Sequence, residues 1–144
     1  MRLVPLAIEA TPDTPQHKGA DWEARRNAVG LRQTLSIANA WKLGQAELGR
    51  LLGATPRTLQ RWRDQANDEG RLELSGDTVE RMSYLLGIHK ALTILLPTPD
   101  NQPLWLRNAN SEPQFNGQPP LERMLSGQVA DLYVIRHYLD GARG

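Results

Sequence analysis

Along most of this chain apolar residues recur three and four positions apart, the spacing of one face of a helix. Ala24, Ala28, Leu31, Leu35 and Ala38 form one such row, and Trp41 continues it. Leu48, Leu51 and Leu52 form a second, and Leu59, Trp62 and Ala66 a third. Val79, Met82, Leu85, Leu86, Leu92 and Leu96 mark a long fourth helix. Leu121 to Leu125 reads as a short helix entered through Pro119 and Pro120, with Gly127 after its end. Val129, Leu132, Ile135 and Leu139 define a last one. No pair of alternating runs flanks a hairpin turn, so the expected fold class is all-α.

Start and stop signals divide these rows. Residues 1–20 hold Pro5, Pro12 and Pro15 and no sustained period, and read as a mobile arm. Asp21 then caps the first helix, which Gly30 weakens or splits. Asn67-Asp68-Glu69-Gly70 reads as a polar hinge between two halves. Asp77 is the expected cap of the long helix, with Glu80 three residues on to complete a capping box. Gly87 interrupts that helix, and Pro97 with Pro99 ends it. From Pro97 to Pro120 the chain is loop-rich, with Leu104-Trp105-Leu106 apolar enough to dock on a core. The expected organisation is an arm at 1–20, a first domain at 21–70 and a second at 71–144.

The stretch Gln45 to Arg63 carries the clearest chemistry. Two short helices meet at Gly53, where a helix end needs a positive φ that glycine enters without strain. Thr55 is the expected N-cap of the second helix and Pro56 its first residue. At about 100° per residue the side opposite Leu59, Trp62 and Ala66 carries Arg57, Gln60, Arg61 and Asp64. An apolar inward face and an outward face of arginine, amide and hydroxyl groups suit a helix lying in a DNA major groove. The expected DNA-facing set is Gln45, Thr55, Arg57, Thr58, Gln60, Arg61 and Arg63. Gln45 is expected to bond a phosphate, and Arg57 and Arg61 to read bases. The stretch resembles the phage-repressor class of helix-turn-helix through Gln45, Glu47-Leu48, Leu52-Gly53, Thr58-Leu59 and Trp62, with Gly49 where alanine is usual. An ordinary helical hairpin with a solvated charged face is the alternative, but it does not account for the capped, acid-free run Thr55–Arg63.

Composition narrows the remaining classes. Length and apolar content suit one core or two small ones. The absence of cysteine excludes a disulfide scaffold, a thiolate zinc site and a cysteine nucleophile, and fits a reducing cytoplasm. The opening residues, broken by Pro5, are too short for a signal peptide. His17, His89 and His137 share no helical turn, and no phosphate-binding glycine loop or nucleophile elbow occurs, so no metal, cofactor or enzymatic activity is expected. Paired acids such as Asp68-Glu69 fall in the expected hinge and read as solvated. Net charge is +1 but uneven. Lys18 to Arg71 carries ten basic residues against six acidic, a net of +4. Leu72 to Gly144 carries six against eight, a net of −2. The first half is suited to phosphates and the second to a protein.

A second resemblance covers residues 40–143. Arg71-Leu72, Ser75, Glu80-Arg81-Met82-Ser83, Leu85-Leu86-Gly87-Ile88, Lys90-Ala91-Leu92 and Trp105-Leu106 fall in one order. They are followed by Asn110, Phe115, Gly117, Pro120-Leu121-Glu122, Met124, Gly127 and Tyr138-Leu139-Asp140. As a set these resemble the Xre/MbcA/ParS antitoxins. The resemblance implies a type II antitoxin that is not an enzyme, neutralises a RES-type NAD-degrading toxin by binding it, and represses its own operon. It further implies that the C-terminal segment covers the toxin's active-site cleft. On the residues, the tail offers Arg136, Tyr138, Leu139, Asp140 and Arg143 within two turns, and tyrosine and arginine dominate interface hot spots. Asp140 is the expected acidic decoy for a cationic nucleotide site, with Tyr138 and Leu139 filling apolar space and Arg143 the alternative anchor. The chain stops at Ala142-Arg143-Gly144, where many relatives continue with a further glycine. Homodimerisation is expected through the outer faces of Ala24–Trp41 or Val79–Leu96, since two half-sites are read about 34–36 Å apart. The alternative is a plain helix-turn-helix repressor whose second half dimerises or senses a ligand.

Overall fold

A computed structural model describes residues 15–144, with side chains from Gly19 onward. Among the described residues the chain is built of α1 (Pro15–Ala40), α2 (Gln45–Leu52), α3 (Pro56–Glu69), α4 (Gly76–Leu95), α5 (Asn101–Arg107), α6 (Pro120–Met124) and α7 (Val129–Arg143), with no strand. The expected all-α class holds. Of the expected arm, residues 1–14 lie outside the described residues, and Pro15 to Ala20 is already helix. Asp21 is therefore no cap. It lies inside α1, and its carboxylate pairs with Arg25 at 3.0 Å and with Arg71 at the exit of α3.

Neither interior glycine breaks its helix. α1 runs through Gly30, where a Cβ would be in ordinary contact with the Met82 methyl at 3.4 Å. α4 runs through Gly87, where a Cβ would collide with the Arg136 guanidinium of α7. The pattern read both positions as breaks because tertiary packing outweighs the helix cost of glycine, about 1 kcal/mol. The cap of α4 also differs from expectation. Ser75 is the N-cap, its hydroxyl accepting from the Thr78 N–H at 3.2 Å. Asp77 instead pairs with Arg81 at 2.8 Å, and Glu80 accepts the Tyr84 hydroxyl.

The expected hinge is helix too. α3 continues through Asn67, Asp68 and Glu69 and closes on Gly70 at φ 67°, whose N–H bonds the Ala66 carbonyl. The chain then runs back along α1: the Leu72 N–H donates to Ala24 at 3.0 Å, and the Asn27 amide donates to the Leu72 carbonyl at 3.0 Å.

One continuous core follows from this. Leu31 and Ile37 of α1, Trp41 just after it, Leu48, Leu51 and Leu52 of α2, and Leu59 of α3 pack in the same cluster as Leu85, Ile88 and Leu92 of α4. Leu106, Leu121, Met124, Leu132, Ile135 and Leu139 complete it. α4 is the shared wall, packed by α7 on one side and by α1 and α2 on the other. A polar peg crosses the core. The Trp41 indole N–H donates to Gln102 Oε1 at 3.0 Å, and the Gln102 amide donates to Thr93 Oγ1 at 3.3 Å. Leu104-Trp105-Leu106 docks as expected but as helix, with Leu106 buried and Leu104 exposed.

Candidate nucleic-acid interface and partner-facing surface

The turn between α2 and α3 forms as its residues dictate. Gly53 sits at φ 73°, the Thr55 hydroxyl accepts the Thr58 N–H at 3.1 Å, and Pro56 opens α3. Gly49 is obligatory rather than permissive, because a Cβ there would strike the Ala54 backbone carbonyl. Leu59 and Ala66 anchor α3 in the core. Trp62, expected in the core, is only half-buried and packs at its edge. Arg32 of α1 caps the far end of α3, donating to the Ala66 carbonyl at 2.8 Å.

The outward face of α3 is open. Arg57, Gln60 and Arg61 are exposed, and neither arginine forms an ion pair with a described residue. Gln60 is tied to Asp64 by an amide bond of 3.0 Å, so its donor must be released before it can meet a base. Thr55 spends its hydroxyl on the cap, and Thr58 is half-buried beside it. Arg63 lies on the flank, half-buried, its Nε without a partner. Gln45 is exposed at the first turn of α2.

Three arginines join this head to the rest of the molecule, and pattern reading missed all three. Arg50 of α2 donates to the Leu125 carbonyl at 2.9 Å. Arg81, 11% exposed, donates to Leu51 at the end of α2 and to Gly127 before α7. Arg107 of α5 holds Glu47 and the Lys42 carbonyl. Each is a charged side chain on a surface helix until the fold brings a carbonyl to it, so periodicity carries no signal for them. The Arg107 guanidinium, with the Gly44 N–H, holds the Glu47 carboxyl below the usual carboxylate range.

At the other end α7 runs a turn past Leu139 to Arg143. Leu139 is 2% exposed, which corrects its assignment as an apolar contact for a partner: it faces α4, not solvent. Tyr138 is half-buried, its ring edge-on to Phe115 at 5.3 Å and its hydroxyl directed at Glu112. Burial pushes this phenol above its usual range. Asp140 sits between two cations, with Arg136 Nε at 3.1 Å and Arg143 Nη1 at 3.5 Å. Tyr133, 50% exposed, stacks on His137 and meets Tyr84 of α4 edge-on. This aromatic face was not in the expected set, because Tyr133 belongs to no apolar row.

The fold and its open basic helix thus define a helix-turn-helix protein with a helical region welded to the reading head. Residues 23–87 match the model of the antitoxin Xre-like helix-turn-helix domain, and residues 91–144 that of the antitoxin Xre/MbcA/ParS C-terminal toxin-binding domain. The chain is also similar to the uncharacterized protein y4oB of Sinorhizobium fredii (strain NBRC 101917 / NGR234), 36% identical over 123 residues, 85% of this chain and 90% of that one. The chain belongs to the Xre/MbcA/ParS antitoxin family. Its two matched regions are those of a type II antitoxin, a regulator that acts by binding. Among the described residues no helix is long and apolar enough to cross a membrane.

Proposed function

We propose that this antitoxin binds and inhibits a RES-type, NAD-degrading toxin in the cytoplasm and represses its own operon as a homodimer. The observation that carries the DNA half is the unpaired Arg57 and Arg61 on the outward face of a helix anchored by Leu59. The guanidinium groups are one turn apart and free to bond guanine, while Gln45 sets the backbone register. Loss of either arginine should weaken binding to a duplex from upstream of the coding sequence by about 5- to 150-fold, a cost of about 1–3 kcal/mol. Wild-type binding by both Arg57→Ala and Arg61→Ala would reject the assignment.

For the toxin half the ion pairs change the choice of anchor. Asp140 is already neutralised by Arg136 and Arg143 of its own helix, so it is poorly placed to act as an acidic decoy. The trio carries a net positive charge and suits an acidic group in the toxin cleft. Arg143, in the last turn of α7, is the anchor favoured. Tyr138 keeps its core contacts and offers the partner only its edge. Arg143→Ala should release toxicity in cells co-expressing the toxin while leaving DNA binding intact. Full protection by Arg143→Ala would move the inhibitory contact elsewhere.

The homodimer is supported by the groove between α1 and α4. It is a cavity of about 340 Å³ with an apolar floor of Val29, Val79, Met82 and Leu86 and the polar Arg26, Asn27, Gln33 and Ser83 among its lining, and Val29 is left 48% exposed. Val29→Glu should shift the species seen by light scattering to half the mass.

A further inference from the structure

We propose that Arg107, which lies in the toxin-binding region, is a positioning residue for the end of α2 that meets the DNA backbone. The inference rests on the DNA-binding reading above and extends it beyond the helix-turn-helix segment.

The turn from Lys42 to Gly44 leads into α2, and Gln45 opens that helix. Glu47 stands two residues further on, at the same end. A bare carboxylate there would repel the phosphates that Gln45 has to approach. Arg107 removes that charge. Its Nη2 donates to Glu47 Oε1 at 3.2 Å and its Nη1 reaches Glu47 Oε2 at 3.4 Å, a two-pronged pairing. The same Nη2 donates to the Lys42 carbonyl at 2.8 Å. Lys42 has φ 60°, a left-handed conformation that a side chain-bearing residue enters at a cost. Holding that carbonyl keeps the turn closed. Glu47 meanwhile accepts the Gly44 N–H at 2.9 Å, so one carboxylate links the turn, the start of α2 and α5.

Stability alone does not account for the cluster. Both side chains are substantially exposed, 41% for Arg107 and 30% for Glu47, and exposed ion pairs contribute little to folding. What the pairing changes is the field at the DNA-facing edge and the shape of the turn beneath it. The α5 helix, and with it the region that meets the toxin, thereby takes part in backbone recognition.

The test uses the full chain and a labelled random-sequence duplex of about 30 base pairs, because backbone contact is independent of sequence and falls with salt. Arg107→Gln should weaken binding roughly fivefold at low salt, with the deficit shrinking as salt screens the exposed Glu47. Glu47→Gln placed in the same chain should restore binding in part, since glutamine keeps the bond to Gly44 and carries no charge, while the hold on the Lys42 carbonyl stays lost. A thermal midpoint within a few degrees of wild type shows that each variant folds. Wild-type binding by Arg107→Gln, or failure of the double variant to recover, overturns the inference. If Arg57→Ala and Arg61→Ala both bind the duplex from upstream of the coding sequence like wild type, the DNA-binding reading fails and this inference falls with it. If those two weaken binding and Arg107→Gln does not, only this inference fails.

Discussion

Replacing Trp41 with phenylalanine tests whether the two matched regions share one core. The indole is 1% exposed, tilted at 53° to the His89 ring and bonded to Gln102 Oε1. Phenylalanine removes the N–H and leaves a buried amide oxygen without a partner, at a cost of about 1–3 kcal/mol. The smaller ring leaves a cavity of about 40 Å³, worth about 1 kcal/mol at ~24 cal/mol per Å³. The sum, about 2–4 kcal/mol, is a large part of the ~5–15 kcal/mol that holds a domain of this kind folded. For a chain of this length it corresponds to a fall of about 6–15 °C in the thermal midpoint. Circular dichroism should show one transition that moves as a whole. DNA binding and toxin binding should be lost together as the temperature crosses it. Two separated transitions, or a shift in DNA binding with toxin binding unchanged, would refute the shared core.

Gly49→Ala should destabilise by about 1–3 kcal/mol through overpacking against the Ala54 carbonyl, despite a gain of up to ~1 kcal/mol in helix propensity, and urea unfolding would show it. Leu59→Ala should cost about 2–5 kcal/mol and Trp62→Ala distinctly less, since only the first is fully buried; equal losses would contradict the register of α3. Burial pushes the His89 imidazole below its usual range, so the unfolded chain binds that proton more readily. Stability should therefore fall as pH drops below about 6.5, and His89→Gln should flatten the urea midpoint between about pH 7 and 5. Asp131 is held low by the Ser126 hydroxyl and by Arg123, which keep it ionised. Its contribution is complete above the ordinary aspartate pKa of about 3.9 and disappears as pH falls below that, a slope that Asp131→Asn should remove.

The helices were legible because their apolar rows are long and regular, and the fold class follows from them. The turn Gly53–Pro56 was legible because each residue there has one conformational job. Glycines were misleading: Gly30 and Gly87 read as interruptions, yet α1 and α4 run through them, and Gly87 is a seat for the Arg136 side chain of a distant helix. The hinge was misread for a related reason. Polar residues at a helix end look like a linker until Asn27 and Arg71 are seen to fasten the chain beyond them. Of the expected site, Arg57 and Arg61 stand on the open face, whereas Leu139 turned inward because its row, Leu132 and Ile135, is a core row. Arg50 and Arg107 had no local signature, and that of Arg81 showed only its i,i+4 pairing with Asp77, since the partners that join the regions are carbonyls and a carboxylate brought up by tertiary structure.

The seam these three arginines make bears on how such proteins exchange parts. A recombination joint near residue 90 would respect both matched regions and still cut α4 in half. A chimera built there would set one lineage's Trp41, Arg81 and Glu47 against another's Gln102, Gly127 and Arg107. The helix-turn-helix region and the toxin-binding region are therefore expected to be inherited together. New pairings would arise by point changes on the outer faces of α3 and α7, and seldom by shuffling whole modules.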